Sequence, residues 1–301
     1  MRLAREYDDT INGNIITQNL NLKGVVFHES RCGSTLAANT LLAVNPTEHR
    51  VYSESTPPKQ ALKICGEDFT KCSIKASANL LKDVIYMMGR SNDPNEQHFF
   101  FKFQSATTRT MEVFRMGFPT TPWIFMYRDP VQVMMSQLDM RKISRANCVR
   151  SKHSSPAVKD HVLRRGYTME DLEDEEFCAV HLATLCDSAL RQLEDANGLG
   201  LAINYSPDIV YSFLDTLLPH HFNIPLDEDG RERVLKVAGT YSKNVGGGHE
   251  KGDFTHDSEE KERKASQEIK NAAKKFLWPS FEELETSRFN VATYTISQSG
   301  R

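Results

Sequence analysis

Residues 24–36 read GVVFHESRCGSTL, and this stretch predicts a buried strand that runs through a short loop into a helix. The apolar run 25–27 consists of strand formers. Leu36, Leu41 and Val44 then follow with the spacing of one helix face. Amide groups at the start of such a helix, together with the positive end of its dipole, face an anion. We therefore expect a phosphate-binding loop at this position.

The loop differs from the phosphate loop of nucleotide hydrolases, which reads G-x-x-x-x-G-K-[ST]. Here Ser34 follows Gly33, and the cation stands two residues before that glycine, at Arg31. The order R-C-G-S-T resembles the 5′-phosphosulfate loop of sulfotransferases that use 3′-phosphoadenosine 5′-phosphosulfate (PAPS). The resemblance implies that the nucleotide's 5′-phosphosulfate is bound by Arg31, Cys32, Gly33, Ser34 and Thr35.

A second motif lies in residues 121–138, TPWIFMYRDPVQVMMSQL. The apolar run 123–127 predicts a strand that ends at Arg128, and Pro130 suits the first turn of a following helix. Ser136 comes eight positions after Arg128, about two helical turns further on the same side. This block resembles the 3′-phosphate motif of the same family, which implies that Arg128 and Ser136 bind that phosphate. Either motif alone also fits an ordinary α/β protein, whereas the pair in this order indicates a PAPS-type site.

The chain of 301 residues is long enough to bury a full core, and we expect one domain over 1–301. Predicted strands alternate with predicted helices, which favours an α/β fold, a three-layer parallel sheet flanked by helices with its sites at the carboxyl ends of the strands. The resemblance implies a P-loop-like sulfotransferase architecture. Further strands are predicted at 49–53, 98–104 and 199–205, and helices at 59–90, 107–116, 170–193, 208–218 and 259–275, with the 208–218 helix closing before Pro219.

Three segments stand apart from this alternation. Residues 1–22 form a polar lead-in. Residues 141–165 are rich in Lys and Arg without clear periodicity, which fits a solvated loop or a lid over the nucleotide or an anionic acceptor. Residues 241–257 are rich in glycine and read as a loop. Within them, Lys251 and Gly252 resemble the nucleotide-covering segment of the family.

Composition excludes several classes of function. A net charge of −3 argues against nucleic acid as the main partner. No stretch reads as a signal peptide or a membrane span, so we expect a soluble protein that does not bind membranes. The six cysteines show no C-x-x-C pair, which predicts neither a metal site nor a disulfide framework and favours a reducing, cytoplasmic location. Cys32 fits either a low-pKa thiol or a small space-filling side chain, and the second is favoured.

Transfer of a sulfuryl group needs cations and N–H donors around the group, as phosphoryl transfer does. Lys102 lies in a run rich in phenylalanine, 98–104, where a buried ammonium needs an anionic partner. By resemblance it matches the lysine of the family's Lys-Thr-His segment. Tyr205, at the end of a predicted strand, matches the tyrosine that the family stacks near adenine, although a strand-end tyrosine is equally ordinary.

The reaction also needs a base for the acceptor. Gln104 occupies the position of the family's catalytic histidine and cannot accept a proton. In other branches of the family a Glu after the second strand serves, and Glu54, twenty positions past Ser34, stands in that place. We therefore predict Glu54 as the base, with His28 and His249 as alternatives and His28 more typical of a packing residue.

These features predict an enzyme that moves a sulfuryl group from PAPS to a hydroxyl or amine of a small-molecule acceptor, releasing 3′-phosphoadenosine 5′-phosphate (PAP). Two other functions stay open. A phosphoryl-transfer enzyme is disfavoured by Ser34 in place of the lysine of the phosphate loop. A catalytically silent nucleotide-binding protein is suggested by Gln104. The acceptor and the oligomeric state do not follow from the sequence.

Overall fold

The computed structural model describes residues 18–138, 146–150, 154–195, 198–206, 208–239 and 258–293 of the chain. Its centre is a parallel sheet of five strands in the order β3-β5-β2-β6-β7, and a short antiparallel pair, β1 with β4, lies beside it. The strands are β1 Gln18–Asn19, β2 Asn21–His28, β3 His49–Ser53, β4 Arg90–Ser91, β5 His98–Lys102, β6 Trp123–Tyr127 and β7 Gly200–Asn204.

Helices follow most strands and make up the greater part of the described chain. The α-helices are α1 Ser34–Val44, α2 Thr56–Lys63, α3 Ile74–Gly89, α4 Met111–Gly117, α5 Pro130–Leu138, α6 Asn147–Arg150, α7 Pro156–Arg164, α8 Asp174–Glu194, α9 Ile209–Ser212, α10 Glu228–Ala238, α11 Ser258–Lys264, α12 Gln267–Ala272 and α13 Trp278–Thr286. Short 3₁₀ turns occupy Ser105–Thr110 and Met169–Asp171, and wider π-type turns continue α9 over Phe213–His221 and α12 over Ala273–Leu277.

The sheet is buried on both faces, which explains its nearly continuous apolar strands. Successive side chains of a strand point to opposite faces. Val25 and Phe27 accordingly belong to one hydrophobic cluster, with residues of α3, α4 and α8, and Val26 belongs to a second, with residues of α1, α9 and α10. The predicted α/β fold, a parallel sheet between two layers of helices, is confirmed.

The strand order places β2 at the centre, between β5 and β6. After β2 the chain crosses to the edge strand β3, returns to β5 and then continues on the other side of β2 through β6 and β7. Such a reversal of direction opens a crevice at the carboxyl ends of the strands, where ligands of α/β proteins bind. The first motif lies at this crevice because it follows β2 directly.

Three predicted segments have different limits in the structure. The predicted helix 59–90 is two helices, α2 and α3, separated by a loop. The described parts of 141–165 include α6 and α7, so this segment is not simply a loop. The predicted helix 208–218 continues past Pro219 instead of closing before it. The Phe222 amide there donates to the Leu217 carbonyl at 2.8 Å, a π-type spacing that accommodates a residue with no N–H to donate.

The expectation that the cysteines form no disulfides is wrong. Cys65 pairs with Cys72 across the loop between α2 and α3, and Cys148 of α6 pairs with Cys178 of α8. The spacing of the cysteines in the sequence could not predict the second pair. Its two cysteines are 30 residues apart and meet only because their helices pack together. The cysteines therefore no longer favour a reducing, cytoplasmic compartment, because disulfides are rare in such compartments. Among the described residues, no helix combines the length and the apolar character that a membrane span requires.

Candidate active site

Each of the five parallel strands ends at a residue that the sequence predicts to be functional. Since all the strands run in the same direction, these residues lie along one edge of the sheet. In the spatial order of the strands they are Glu54 after β3, Lys102 at the end of β5, the loop 29–33 after β2, Arg128 after β6 and Tyr205 after β7.

The loop after β2 has the backbone of an anion cradle. Ser30, Arg31 and Gly33 have φ values of 79°, 58° and 79°, a region that residues other than glycine rarely occupy. Gly33 is the N-cap of α1, and no side chain of the described residues caps that helix start. A Cβ on Gly33 would lie 2.2 Å from Cδ2 of Tyr205, so the close packing of loop and tyrosine requires glycine.

His28 holds the cradle in place. Its Nε2 lies 2.9 Å from the Phe103 carbonyl oxygen, and its Nδ1 accepts the Ser30 amide at 3.1 Å. These two bonds fix the neutral ring with its proton on Nε2. Burial, reinforced by the Lys102 charge, lowers the pKa of His28 to about 3. A ring with both nitrogens engaged and so low a pKa positions the loop and does not serve as the base.

Glu54 and Lys102 form an ion pair beside the cradle. The register pairs Ser53 with Lys102, which brings Glu54, the residue after β3, against the lysine. The Lys102 ammonium contacts Oε1 of Glu54. The lysine side chain is 2% exposed and the glutamate side chain 49% exposed, so the pair reaches from the core to the crevice. Glu54 supplies the anionic partner that a buried ammonium needs, and the role of Lys102 at the nucleotide stays a prediction.

The backbone of Glu54 is held in a strained conformation, with φ at 57°. Its amide donates to the Lys102 carbonyl oxygen at 2.7 Å. Nε2 of Gln104 donates to the Glu54 carbonyl oxygen at 2.8 Å. Gln104 therefore supports the predicted base through this bond. Strain that neighbours fix in this way is typical of functional sites.

The two motifs meet at the other side of β2. Nε of Arg31 donates to the Ser136 carbonyl oxygen at 3.1 Å. The Arg128 guanidinium is buried, lies 4.9 Å above the centre of the Tyr205 ring and donates through Nε to Gln132 at 3.0 Å. The structure thus brings Arg31, Arg128, Ser136 and Tyr205 together, and their assignment to the nucleotide stays a prediction.

Cys32 is buried at the centre of this loop. Its thiol donates to the Met126 carbonyl oxygen at 3.2 Å, and burial raises its pKa to about 12. A thiol in this state is not a nucleophile. Of the two interpretations of Cys32, the small space-filling side chain agrees with the structure.

Glu29 is a residue of the site that the sequence interpretation missed. It is buried, and its Oε2 accepts the Arg128 amide at 3.1 Å, which ties the loop after β2 to the end of β6. Burial raises its pKa to about 8, with smaller opposing contributions from the Arg128 amide and from Cys186. The available signal was an acidic residue inside a loop predicted to bind an anion. A charged carboxylate would repel that anion, so Glu29 has to be neutral or turned inward.

We expect the substitution Glu29→Gln to remove a pH dependence of stability. The carboxyl has an ordinary pKa of 4.5 in the unfolded chain and about 8 in the folded protein, so between these values the unfolded chain releases a proton that the folded protein keeps. Stability of the wild type therefore falls as pH rises through this window, by at most about 1.4 kcal/mol per pH unit. Urea unfolding of both proteins across the window measures the difference, and parallel profiles would contradict the assignment.

A polar cavity of about 340 Å³ opens beside the Glu54 end of the sheet edge. Ser30, Glu54 and Gln104 form the wall that it shares with the site. The opposite wall includes Glu67, in the loop closed by the Cys65–Cys72 disulfide, and Arg109 of the 3₁₀ turn. These wall residues have no sequence signature, because the fold brings together segments that are far apart in the chain.

Lys251, Gly252 and His249 lie outside the described residues, as do all of 241–257 and residues 1–17 of the lead-in. Their predicted roles stay predictions.

Comparison with known proteins gives matches only by structure. No family model and no curated protein matches the chain. The sulfotransferase domain from the curacin biosynthetic pathway matches with 16% identity and a TM-score of 0.43, covering 72% of this chain and 78% of that one. A sulfotransferase from Alicyclobacillus acidocaldarius matches with 14% identity and a TM-score of 0.41, covering 88% of this chain and 94% of that one. Both of these matched proteins are sulfotransferases.

Proposed function

We propose that this chain transfers a sulfuryl group from PAPS to a hydroxyl or amine of a small-molecule acceptor. The observation that carries the proposal is the order of groups along the sheet edge. A half-exposed carboxylate, Glu54, comes first, then the buried ammonium of Lys102, the anion cradle after β2 and the buried guanidinium of Arg128. This order matches a base, a leaving-group cation, a sulfonate site and a second phosphate site.

The residues present fit PAPS, which supplies the activated sulfuryl group when bound. The cradle of Ser30, Arg31 and Gly33 with the uncapped start of α1 would hold the 5′-phosphosulfate. Arg128 and Ser136 would hold the 3′-phosphate. Glu29 directly behind the cradle has a pKa of about 8, so it is mostly protonated near neutral pH and leaves the site electropositive.

The Glu54–Lys102 pair is suited to the chemistry of the transfer. Glu54 accepts the proton of the acceptor O–H or N–H while that atom forms its bond to sulfur. With PAPS bound, Lys102 would stabilise the negative charge that remains on the 5′-phosphate oxygen as its bond to sulfur breaks. The proton then passes from Glu54 to solvent.

Substitution of Arg128 by alanine tests the nucleotide assignment. ATP has no 3′-phosphate, so selectivity for PAP over ATP with Mg²⁺ depends on this guanidinium. Loss of charge-assisted bonds to a phosphate is expected to weaken PAP binding by about 2 to 4 kcal/mol in calorimetry. Arg231→Ala is the matched control. Arg231 lies on α10, and its guanidinium lies 3.1 Å from the carboxylate of Asp215 in the π-type turn 213–221. Equal PAP affinity for Arg128→Ala and wild type would overturn the assignment.

Incubation of the protein with PAPS carrying labelled sulfate and a metabolite extract tests the activity directly. Labelled products other than free sulfate are expected. Tight PAP binding without any labelled product would assign the chain to the nucleotide-binding proteins instead.

A further inference from the structure

We propose that the cavity beside Glu54 binds a small hydrophilic acceptor that carries an anionic group, of the kind found in sugar acids and sugar phosphates. The inference rests on the proposed sulfuryl transfer, since it identifies the cavity as the acceptor site. Glu54 lies in the cavity wall, so a hydroxyl bound there is next to the predicted base.

The lining of the cavity is hydrophilic. Among its lining residues in the described part of the chain, Ala106 alone lacks a polar side chain. Sites for phenols or steroids are instead lined mainly by aliphatic and aromatic groups. Ser105, Asn147 and Ser155 offer hydroxyl and amide groups that bind other hydroxyls. The volume of about 340 Å³ fits a molecule of one or two rings.

The charges around the cavity favour an anion. Among the described residues, three cations line it, Lys59, Lys63 and Arg109, against the two carboxylates of Glu54 and Glu67. Lys102 neutralises Glu54 from behind. The excess charge in the cavity is therefore positive.

Glu67 cancels one of these three positive charges, and its carboxylate is already engaged in doing so. Oε1 lies 3.2 Å from the Lys63 ammonium and 3.5 Å from the Arg109 guanidinium, and Oε2 accepts the Ser155 hydroxyl at 2.6 Å. Arg109 is in turn fixed by Thr184 at 2.9 Å. Lys59 forms neither a hydrogen bond nor an ion pair within the described residues. Its ammonium is the group that would bind the anionic substituent.

The cavity walls are covalently fixed. The Cys65–Cys72 disulfide closes the loop that carries Glu67, and the Cys148–Cys178 disulfide joins α6, which carries Asn147, to the long helix α8. A wall held in this way recognises a ligand without being reordered, which favours binding of a small polar molecule.

Four probes test the inference: D-glucuronate and D-glucose 6-phosphate as anionic acceptors, D-glucose as their neutral counterpart and 4-nitrophenol as an apolar one. Binding is followed by ligand-observed NMR with PAP present and absent, and transfer is followed with labelled PAPS. At least one of the two anionic sugars is expected to bind and be sulfated in preference to D-glucose and 4-nitrophenol. Lys59→Ala is expected to raise its KM by about 10- to 100-fold with unchanged PAP affinity.

Lys75→Ala is the matched control, because Lys75 is an exposed lysine at the start of α3 away from the cavity. The proposed acceptor class would be overturned by a preference for 4-nitrophenol or D-glucose, or by equal KM values for Lys59→Ala and Lys75→Ala. If PAP still binds, the proposed function is unaffected by either result. Absence of PAP binding would instead defeat the proposed function. In that case the NMR titration without nucleotide still tests whether the cavity binds anions. Loss of anionic-sugar binding in Lys59→Ala supports the anion site, and absence of such binding in the wild type overturns it.

Discussion

Replacement of Glu54 by glutamine is expected to lower turnover by about 10²- to 10⁴-fold, the usual contribution of a general base. Glutamine keeps the shape of the side chain and one hydrogen-bonding oxygen, but it cannot take the acceptor's proton. The backbone bonds to Lys102 and Gln104 that hold residue 54 do not involve the side chain of residue 54, so the variant keeps its position. The loss is therefore expected in the chemical step.

The pH-rate profile on one acceptor measures this effect. The wild type is expected to show an acidic limb, where the carboxylate becomes protonated, and the variant is expected to lack it. Glu48→Gln is the matched control, since Glu48 lies directly before β3, at the opposite end of the strand that precedes Glu54. Near-full activity of Glu54→Gln with its acidic limb retained would transfer the role to another group.

Nucleotide binding separates a catalytic loss from misfolding. In the free Glu54→Gln protein the buried Lys102 ammonium loses its carboxylate partner, which destabilises the protein. A bound phosphate supplies a new anion to that ammonium. PAP is therefore expected to raise the melting temperature of the variant by more than that of the wild type. A smaller shift in the variant would indicate that Glu54 organises the nucleotide site instead of activating the acceptor.

The sequence predicted the sheet well because the strands follow local rules. His49–Ser53 and Trp123–Tyr127 have the predicted limits, and β5 and β7 differ from prediction only at their ends. A parallel sheet places the residues that follow its strands at one edge, so local strand assignments are enough to bring Glu54, Lys102 and Arg128 together. This geometry explains how short motifs predict a candidate site made from five distant segments.

The parts that prediction missed depend on contacts between distant segments. Glu29 reads as an ordinary loop carboxylate until the fold buries it against the Arg128 amide. The cavity wall forms only when the loop after α2, the 3₁₀ turn and the start of α7 meet at Glu67. No local sequence pattern predicts that these three segments come into contact. The Cys148–Cys178 disulfide escaped prediction for the same reason, because its cysteines are 30 residues apart.

Substitution of Lys102 tests the other half of the catalytic pair. Its buried ammonium pairs with Glu54 in the ground state, and it can stabilise the leaving phosphate oxygen when that oxygen becomes negative and Glu54 takes up the acceptor's proton. We expect Lys102→Met to lower the single-turnover rate by about 10²- to 10³-fold, the range seen when one stabilising donor is removed from a transition state. PAPS affinity is expected to change much less, because the cradle amides and Arg128 bind the nucleotide in its ground state.

The choice of methionine separates chemistry from packing. Methionine is close in volume to lysine, and replacing one member of an ion pair by an apolar group of similar size removes the ammonium without opening a cavity. Lys102→Ala, which does open one, is expected to show a similar rate but lower stability. Lys23→Met is the matched control, because Lys23 lies near the amino end of the neighbouring strand β2. If single-turnover rates of both Lys102 variants match the wild type, the lysine only stabilises Glu54, and the charge on the leaving oxygen must be met by Arg31 and the loop amides.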